Sequence, residues 1–313
     1  MSKKILITEN VSSVGVDFLK NKGYEVKFLS NPDEETIVRE SADCDGMIVR
    51  ILPIPRRVLE NAHKLRVIGK HGVGTDNIDK AAAKELGIRV VNTPTANTLS
   101  VAEYTVALML SCARRIPMMS ERYRGGDAHT KDHVVCNQIG GSTLGLVGAG
   151  RIGSIVGKIA SEGFGMKVIA YDPYLKTPPA WITLVDRWEE LFQNSDYISV
   201  HMPLTPETRH CIGAKEFEMM KPGAYIINCA RGPIIDEAAL IEAVREHKIR
   251  GCGLDVTEHE PASPDNPLFK MDDVVLTAHN AATTKEAMDN MVLDAARGVD
   301  DVLNGRTPEF LVC

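Results

Sequence analysis

Thr143-Leu144-Gly145-Leu146-Val147-Gly148-Ala149-Gly150-Arg151-Ile152-Gly153 is the stretch on which the reading turns. A short apolar run enters a G-x-G-x-x-G, and a helical pattern leaves it through Ala160. A glycine-rich turn alone is common; a strand before it and a helix after it make it a dinucleotide-binding turn. The glycines permit the tight bend and let main-chain N–H groups approach a pyrophosphate, to which the helix N-terminus adds partial positive charge. The next extended run, Lys167 to Tyr171, ends at Asp172, nineteen residues beyond Gly153. That is near the ~20 expected for the acid that accepts the adenosine ribose hydroxyls. A carboxylate there repels a 2′-phosphate, which favours NAD over NADP.

The same alternation of short apolar runs and helical stretches extends in both directions. Upstream, extended runs are expected at Ile5-Leu6-Ile7, Glu25 to Leu29, Gly46 to Val49, Leu65 to Ile68 and Ile88 to Val91. Downstream they recur at Tyr197 to Val200, Ala224 to Asn228, Gly251 to Asp255 and Val274 to Leu276. Strands this short and apolar, separated by helices, predict parallel sheets covered on both faces. Asn97 to Ile116 reads as a long helix between two units, Gly125 to Gly141 breaks the rhythm, and a last helix runs from about Lys285 to Leu303. The fold class is therefore α/β, with two doubly wound units in tandem.

Composition narrows the function. The 313 residues carry 36 basic and 42 acidic side chains, a net charge of −6, so no broad basic surface exists for nucleic acid or anionic lipid. A small anion held by a few local arginines stays open. The seven cysteines are odd in number and lack any C-x-x-C pair. They read as reduced thiols, neither a disulfide framework nor a metal knuckle, and no metal is expected. No apolar run approaches the ~18 residues of a membrane span. The basic opening is cut short at Glu9, so a secretory leader is not expected.

Three further turns follow predicted strands: Asn228-Cys229-Ala230-Arg231-Gly232, Asp255-Val256-Thr257-Glu258-His259-Glu260-Pro261, and Ala278-His279-Asn280-Ala281-Ala282. Ligands of open parallel sheets bind outside the carboxyl ends of the strands, so these turns should converge. Arginine clamps a carboxylate at two points and polarises a carbonyl. Histidine moves the proton that accompanies hydride transfer, and a neighbouring carboxylate fixes its orientation. Each residue alone is weak; the joint placement is what carries weight.

With these motifs the sequence resembles the D-isomer-specific 2-hydroxyacid dehydrogenase family along essentially its whole length. His71-Gly72-Val73-Gly74-Thr75-Asp76-Asn77-Ile78-Asp79, Val101-Ala102-Glu103-Tyr104, the glycine motif with Tyr171-Asp172-Pro173, and His201-Met202-Pro203-Leu204-Thr205-Pro206-Glu207-Thr208 carry the likeness, together with the three turns above. The resemblance implies hydride transfer between NAD and C2 of a small D-2-hydroxy acid or 2-oxo acid, such as 3-phosphoglycerate, hydroxypyruvate or glyoxylate. It makes Arg231 the substrate-binding arginine, Glu260 the partner acid and His279 the proton carrier. It gives cofactor contacts to Gly148, Gly150, Arg151, Ile152, Gly153, Asp172, Met202, Pro203, Thr208, Cys229, Ala230 and Asp255, with Asp255 on the nicotinamide side. Val73 and Gly74 would offer N–H groups to the substrate carboxylate, while Glu258 and His259 are expected to be solvated bystanders. Arg50 matches a phosphate-binding arginine of the phosphoglycerate branch, but Ile51-Leu52-Pro53 lacks the small hydroxylated residues expected beside it. Arg50 either meets another distal anion or is solvated.

The resemblance further implies a flavodoxin-like substrate domain from 1–97 plus 285–313, a Rossmann domain from 98–284, a cytoplasmic location, and a homodimer through the 101–141 region. The chain ends at Cys313, so the C-terminal regulatory domains of longer phosphoglycerate dehydrogenases are not expected. One alternative is an NAD-sensing corepressor of the same fold, which keeps the same three site residues; the compact length favours an enzyme. A formate dehydrogenase-like activity would place an amide where Glu260 stands.

Overall fold

Why the apolar runs become strands is visible in their burial. In a computed structural model, which describes residues 2–313, runs such as Gly46–Val49 and Tyr197–Val200 are buried at every position, as parallel strands covered on both faces must be. Five strands form the first sheet: β1 (Lys4–Ile7), β2 (Glu25–Phe28), β3 (Gly46–Val49), β4 (Val67–Lys70) and β5 (Arg89–Val91). Their order is β2-β1-β3-β4-β5, and every pairing is parallel. This is the flavodoxin-like order. Edge strand β2 carries Glu25 and Lys27 and is mostly exposed. Edge strand β5 is covered by the C-terminal tail, with Val312 N–H donating to Val90 O at 2.8 Å. Charge on one edge and a covering segment on the other block further strand addition.

Helices α1 (Ser13–Asn21), α2 (Glu34–Ser41), α3 (Arg56–Asn61) and α4 (Lys80–Glu85) connect these strands. Ser12, Asp33 and Asp79 cap α1, α2 and α4 by accepting first-turn N–H groups. One face of the sheet packs on α2 to α4 through Ile37, Val58, Leu59, Ala82 and Ala83.

The second sheet has seven parallel strands: β6 (Thr143–Val147), β7 (Lys167–Tyr171), β8 (Thr183–Leu184), β9 (Tyr197–Val200), β10 (Tyr225–Asn228), β11 (Gly251–Leu254) and β12 (Val274–Leu276). Their order is β12-β11-β10-β9-β6-β7-β8, so the connection reverses direction between β6 and β9. That is the topological switch point, where the carboxyl ends open a crevice. α5 (Thr98–Arg114), α6 (Ile116–Arg124), α7 (Arg151–Lys158), α8 (Trp188–Asn194), α9 (Ala214–Met219) and α10 (Glu237–Arg245) flank this sheet, which has a buried apolar cluster on each face.

The last helix, α11 (Lys285–Leu303), returns to the first sheet. Its Ala296, Val299 and Leu303 join Ile5, Ile7, Val67 and Val91 in one buried cluster. Tyr24 Oη donates to Asp300 Oδ1 at 2.8 Å, and this burial raises the phenol to about 12. The chain thus divides into two compact units. One runs to Thr98 and resumes at Thr283; the other is the continuous segment Leu99–Ala282. No helix among the described residues is long and apolar enough to cross a membrane.

Three local features differ from expectation. β4 begins at Val67 and includes Lys70, two residues later than the apolar pattern placed it. The long helix stops at Arg114 because Arg115 adopts a left-handed conformation (φ 50°), and α6 starts afresh beyond it. β8, only two residues long, had no recognisable signal.

Candidate active site

The glycine turn sits at the switch point. Gly148 has φ 89°, and a Cβ there would also lie 3.1 Å from the His201 main chain. A Cβ on Gly153 would lie 2.4 Å from Gly148 O, so only glycine lets α7 start this close to β6. At Gly150, the N-cap of α7, a Cβ would meet nothing within 4 Å. The turn is therefore tight behind and open in front, with the α7 N-terminus at its mouth. That shape fits a pyrophosphate.

Asp172 follows β7 at the same edge. Its Oδ2 accepts Ala149 N–H at 2.9 Å, and its Oδ1 accepts Tyr174 and Leu175 N–H at 3.0 and 3.2 Å. The carboxylate braces the glycine turn, and three of its roughly four acceptor positions are engaged, leaving about one for a ribose hydroxyl. Arg151 is exposed, while Ile152 and Met202 are half-buried and Pro203 is exposed. Thr208 closes the loop after β9, its hydroxyl donating to Pro203 O at 2.8 Å. Cys229 and Ala230 follow β10. Burial pushes the Cys229 thiol up to about 12, which excludes a resting thiolate nucleophile there.

The other three turns leave β10, β11 and β12, adjacent parallel strands whose carboxyl ends share one edge. Asn228 shapes the first: its side chain accepts Ala230 N–H and donates to Arg231 O, both at 2.9 Å. Arg231 Nη1 donates to Ala230 O at 2.7 Å. In the other two turns, His279 Nδ1 and Glu260 Oε2 stand 2.8 Å apart, with side chains 43% and 38% exposed. The pair is hydrogen-bonded and open to a ligand.

Asp255 is what fixes this histidine. It is 1% exposed, and its carboxylate accepts the Thr277 hydroxyl at 2.7 Å, Asn280 N–H at 3.0 Å and Ala281 N–H at 2.8 Å. Its main-chain oxygen accepts His279 N–H at 2.7 Å. Four bonds thus hold the loop that places His279 at φ 51°. Three of the roughly four acceptor positions of this carboxylate are thus engaged by the loop. Tyr104, whose hydroxyl donates to Asn280 Oδ1 at 3.1 Å, steadies the same loop. Tyr104 and Asn228 both stand in the quoted motifs, yet nothing in the sequence marks their side chains as props of these turns.

Glu258 is not a solvated bystander. Its Oε1 lies 2.7 Å from His210 Nε2, and its N–H donates to Glu237 Oε2 at 2.9 Å. His259 is exposed, as expected.

Arg50, Val73 and Gly74 lie on the first unit. Arg50 Nη1 donates to Asn10 O at 2.9 Å, and Glu9 accepts the Arg50 and Ile51 N–H groups, each at 2.8 Å. Val73 is 38% exposed, and Asn92 holds its carbonyl at 2.8 Å. Beside them His71 is buried with Nε2 unpartnered; burial, with Arg50 nearby, holds its ring at about 4.

Residues 106–281 match the model of the D-isomer specific 2-hydroxyacid dehydrogenase NAD binding domain. The chain belongs to the D-isomer specific 2-hydroxyacid dehydrogenase family. The matched segment contains the glycine turn, Asp172, Arg231, Glu260 and His279, so this family member carries an NAD-binding domain around the geometry just described. It is 43% identical over 313 residues to a D-3-phosphoglycerate dehydrogenase of Methanocaldococcus jannaschii, covering 99% of this chain and 59% of that one. The chain thus spans well under two thirds of that relative's length. Among solved structures it is similar to the TT0316 protein of Thermus thermophilus, with 35% identity and a TM-score of 0.92, covering 99% and 100% of the two chains. It is also similar to a D-lactate dehydrogenase with NAD+ from Lactobacillus jensenii, with 31% identity and a TM-score of 0.81, covering 99% of each chain.

Proposed function

We propose that the chain is an NAD-dependent oxidoreductase that interconverts a small D-2-hydroxy acid and its 2-oxo acid. The observation that carries this reading is the 2.8 Å His279–Glu260 pair, presented at the same carboxyl edge of the sheet as the glycine turn. When bound, the nicotinamide cofactor supplies the hydride acceptor for oxidation and the donor for reduction. Gly148, Gly150, Arg151, Ile152 and Gly153 would hold its pyrophosphate, and Asp172 its adenosine ribose. Met202, Pro203, Thr208, Cys229 and Ala230 would complete the binding surface, with Asp255 on the nicotinamide side, where it also holds the His279 loop.

An ionised carboxylate only accepts, so the bond to Glu260 puts the His279 proton on Nδ1 and leaves Nε2 as the base. In oxidation His279 takes the C2 hydroxyl proton at Nε2, and Glu260 offsets the charge of the imidazolium that forms. In reduction His279 returns that proton to the C2 oxygen. The Arg231 guanidinium grips the substrate carboxylate and draws charge from the C2 carbonyl. Val73 and Gly74 for the carboxylate, and Arg50 for a distal group, are assigned on the family resemblance.

The 43% identity to a D-3-phosphoglycerate dehydrogenase supports phosphohydroxypyruvate as a substrate, with hydroxypyruvate and glyoxylate as the unphosphorylated candidates. The test is a reduction screen of these 2-oxo acids with NADH and NADPH in parallel. Turnover with NADH supports the reading; absence of turnover with all of them overturns it. Exposed apolar residues along α5, α6 and the following loop, Leu99, Ile116, Tyr123 and Val135, support a homodimer through this region. The seven free cysteines suit a reducing, cytoplasmic compartment.

A further inference from the structure

Beside the His279–Glu260 pair stands a second histidine–carboxylate couple. His210, on the loop after β9, has φ 52° and points Nε2 at Glu258 Oε1, 2.7 Å away. Its side chain is 39% exposed and that of Glu258 21%. His210 N–H also donates to Pro233 O at 2.8 Å. One residue therefore grips two turns, through its main chain the turn that carries Arg231 and through its ring the turn that carries Glu260.

The second grip is reinforced. Glu258 Oε2 accepts Glu237 N–H at 3.4 Å in the first turn of α10, where a negative charge is favoured. Glu258 N–H returns a bond to the Glu237 carboxylate, whose other oxygen accepts the Asn266 side chain at 2.8 Å. The two turns also touch directly: a Cβ on Gly232 would lie 1.8 Å from Thr257 O and 2.7 Å from Glu258 N. No side chain fits between them at Gly232, so the turn that carries Arg231 packs main chain against main chain on the 257–260 turn. Two residues past Glu258, Glu260 meets His279.

We propose that His210 and Glu258 are positioning residues that lock the Arg231 turn and the Glu260 turn into one register. The proposal rests on the oxidoreductase reading above. No hydrogen bond joins either residue to the cofactor cradle of Gly148 to Gly153, and a partly exposed side-chain pair contributes little to folding. The pair therefore acts on the rate of turnover, and not on cofactor affinity or melting.

Three variants test this in the full-length protein: His210→Asn, which tolerates the left-handed backbone, Glu258→Ala, and Glu258→Gln, which still accepts from His210. His210→Asn and Glu258→Ala should each lower kcat about tenfold, since small misplacements of a catalytic group cost that much or more. KM for the 2-oxo acid should rise as Arg231 is displaced, the dissociation constant for NADH and the melting temperature should not change, and Glu258→Gln should recover most of the loss. In the proton NMR spectrum, the downfield Nδ1–H resonance of His279 should broaden in Glu258→Ala and His210→Asn and persist in Glu258→Gln. An unchanged kcat in both His210→Asn and Glu258→Ala overturns the proposal. So does a loss of kcat accompanied by equal losses of NADH affinity and melting temperature. If the wild-type protein turns over none of the 2-oxo acids, the functional reading fails. The resonance of His279 then decides the positioning role alone, and an unbroadened signal in both variants overturns it.

Discussion

His279 is held from two directions, by Glu260 at its ring and by Asp255 at its main chain. Replacing it with alanine would confound chemistry with backbone strain at φ 51°. Asparagine tolerates that conformation, so His279→Asn isolates the ring. We expect kcat to fall by about 10²–10⁴, the usual contribution of a positioned acid–base group, while NADH binding by fluorescence titration stays unchanged. A variant retaining near-normal kcat would remove His279 from the reaction. His71 gives a second prediction at this scale. Its buried ring titrates at about 4, below the ordinary 6.5, so the unfolded chain binds the proton first as pH falls. Stability contributed by the neutral ring is complete above about pH 6.5 and is lost progressively down to pH 4. Urea melts of the wild-type protein should lose about 2 kcal/mol from this source between pH 7 and pH 5. His71→Asn should shrink that pH dependence, and an unaltered difference between the two pH values would contradict it.

At the scale of the element, the glycine turn separates folding from binding. Gly150→Ala adds a methyl into open space, whereas Gly153→Ala drives one into Gly148 O at 2.4 Å. The first should melt like the wild type yet bind NADH at least tenfold more weakly, because the methyl stands where the pyrophosphate must approach. The second should lose stability outright, by an overpacking cost of about 1–3 kcal/mol. Equal NADH affinity in Gly150→Ala and wild type would argue against this cradle as the cofactor site. Elements also show where sequence reasoning was sufficient. The parallel strands and the glycine turn were legible because their apolar runs and spacing are local. The apolar pattern sets β4 too early because Lys70 reads as a strand end; it is buried, and its ammonium donates to Asn77 Oδ1 at 2.9 Å from a loop seven residues on. Glu258 reads as solvated for a similar reason, since its partners His210 and Glu237 lie 48 and 21 residues away. Asp255 was recognised as part of a motif, but its inward orientation appears only once β11 and β12 are paired.

At the scale of the whole molecule, the two units differ in how they are encoded. Leu99–Ala282 is continuous and has buried clusters on both faces of its sheet, so it should fold when expressed alone. We expect that fragment to melt cooperatively and to bind NADH, measured by circular dichroism and fluorescence. Residues 1–98 alone lack α11, whose Ala296, Val299 and Leu303 fill one face of the first sheet. That fragment should remain unfolded or aggregate, and recovery on adding a peptide of residues 283–313 would support the same account. Cooperative folding of 1–98 without α11 would count against it.

The return of α11 to the first sheet also sets an order in time. During synthesis the first five strands emerge long before the helix that seals them, with the 184 residues between Thr98 and Thr283 made in the interval. At about 5–20 residues per second that is a wait of roughly 10–40 s on the ribosome. The nascent first unit spends that time with one apolar face uncovered, while the middle unit behind it can already close. Of the two units, the one whose strands are made first is therefore sealed second, and its uncovered face is the one a ribosome-associated chaperone would have longest to bind.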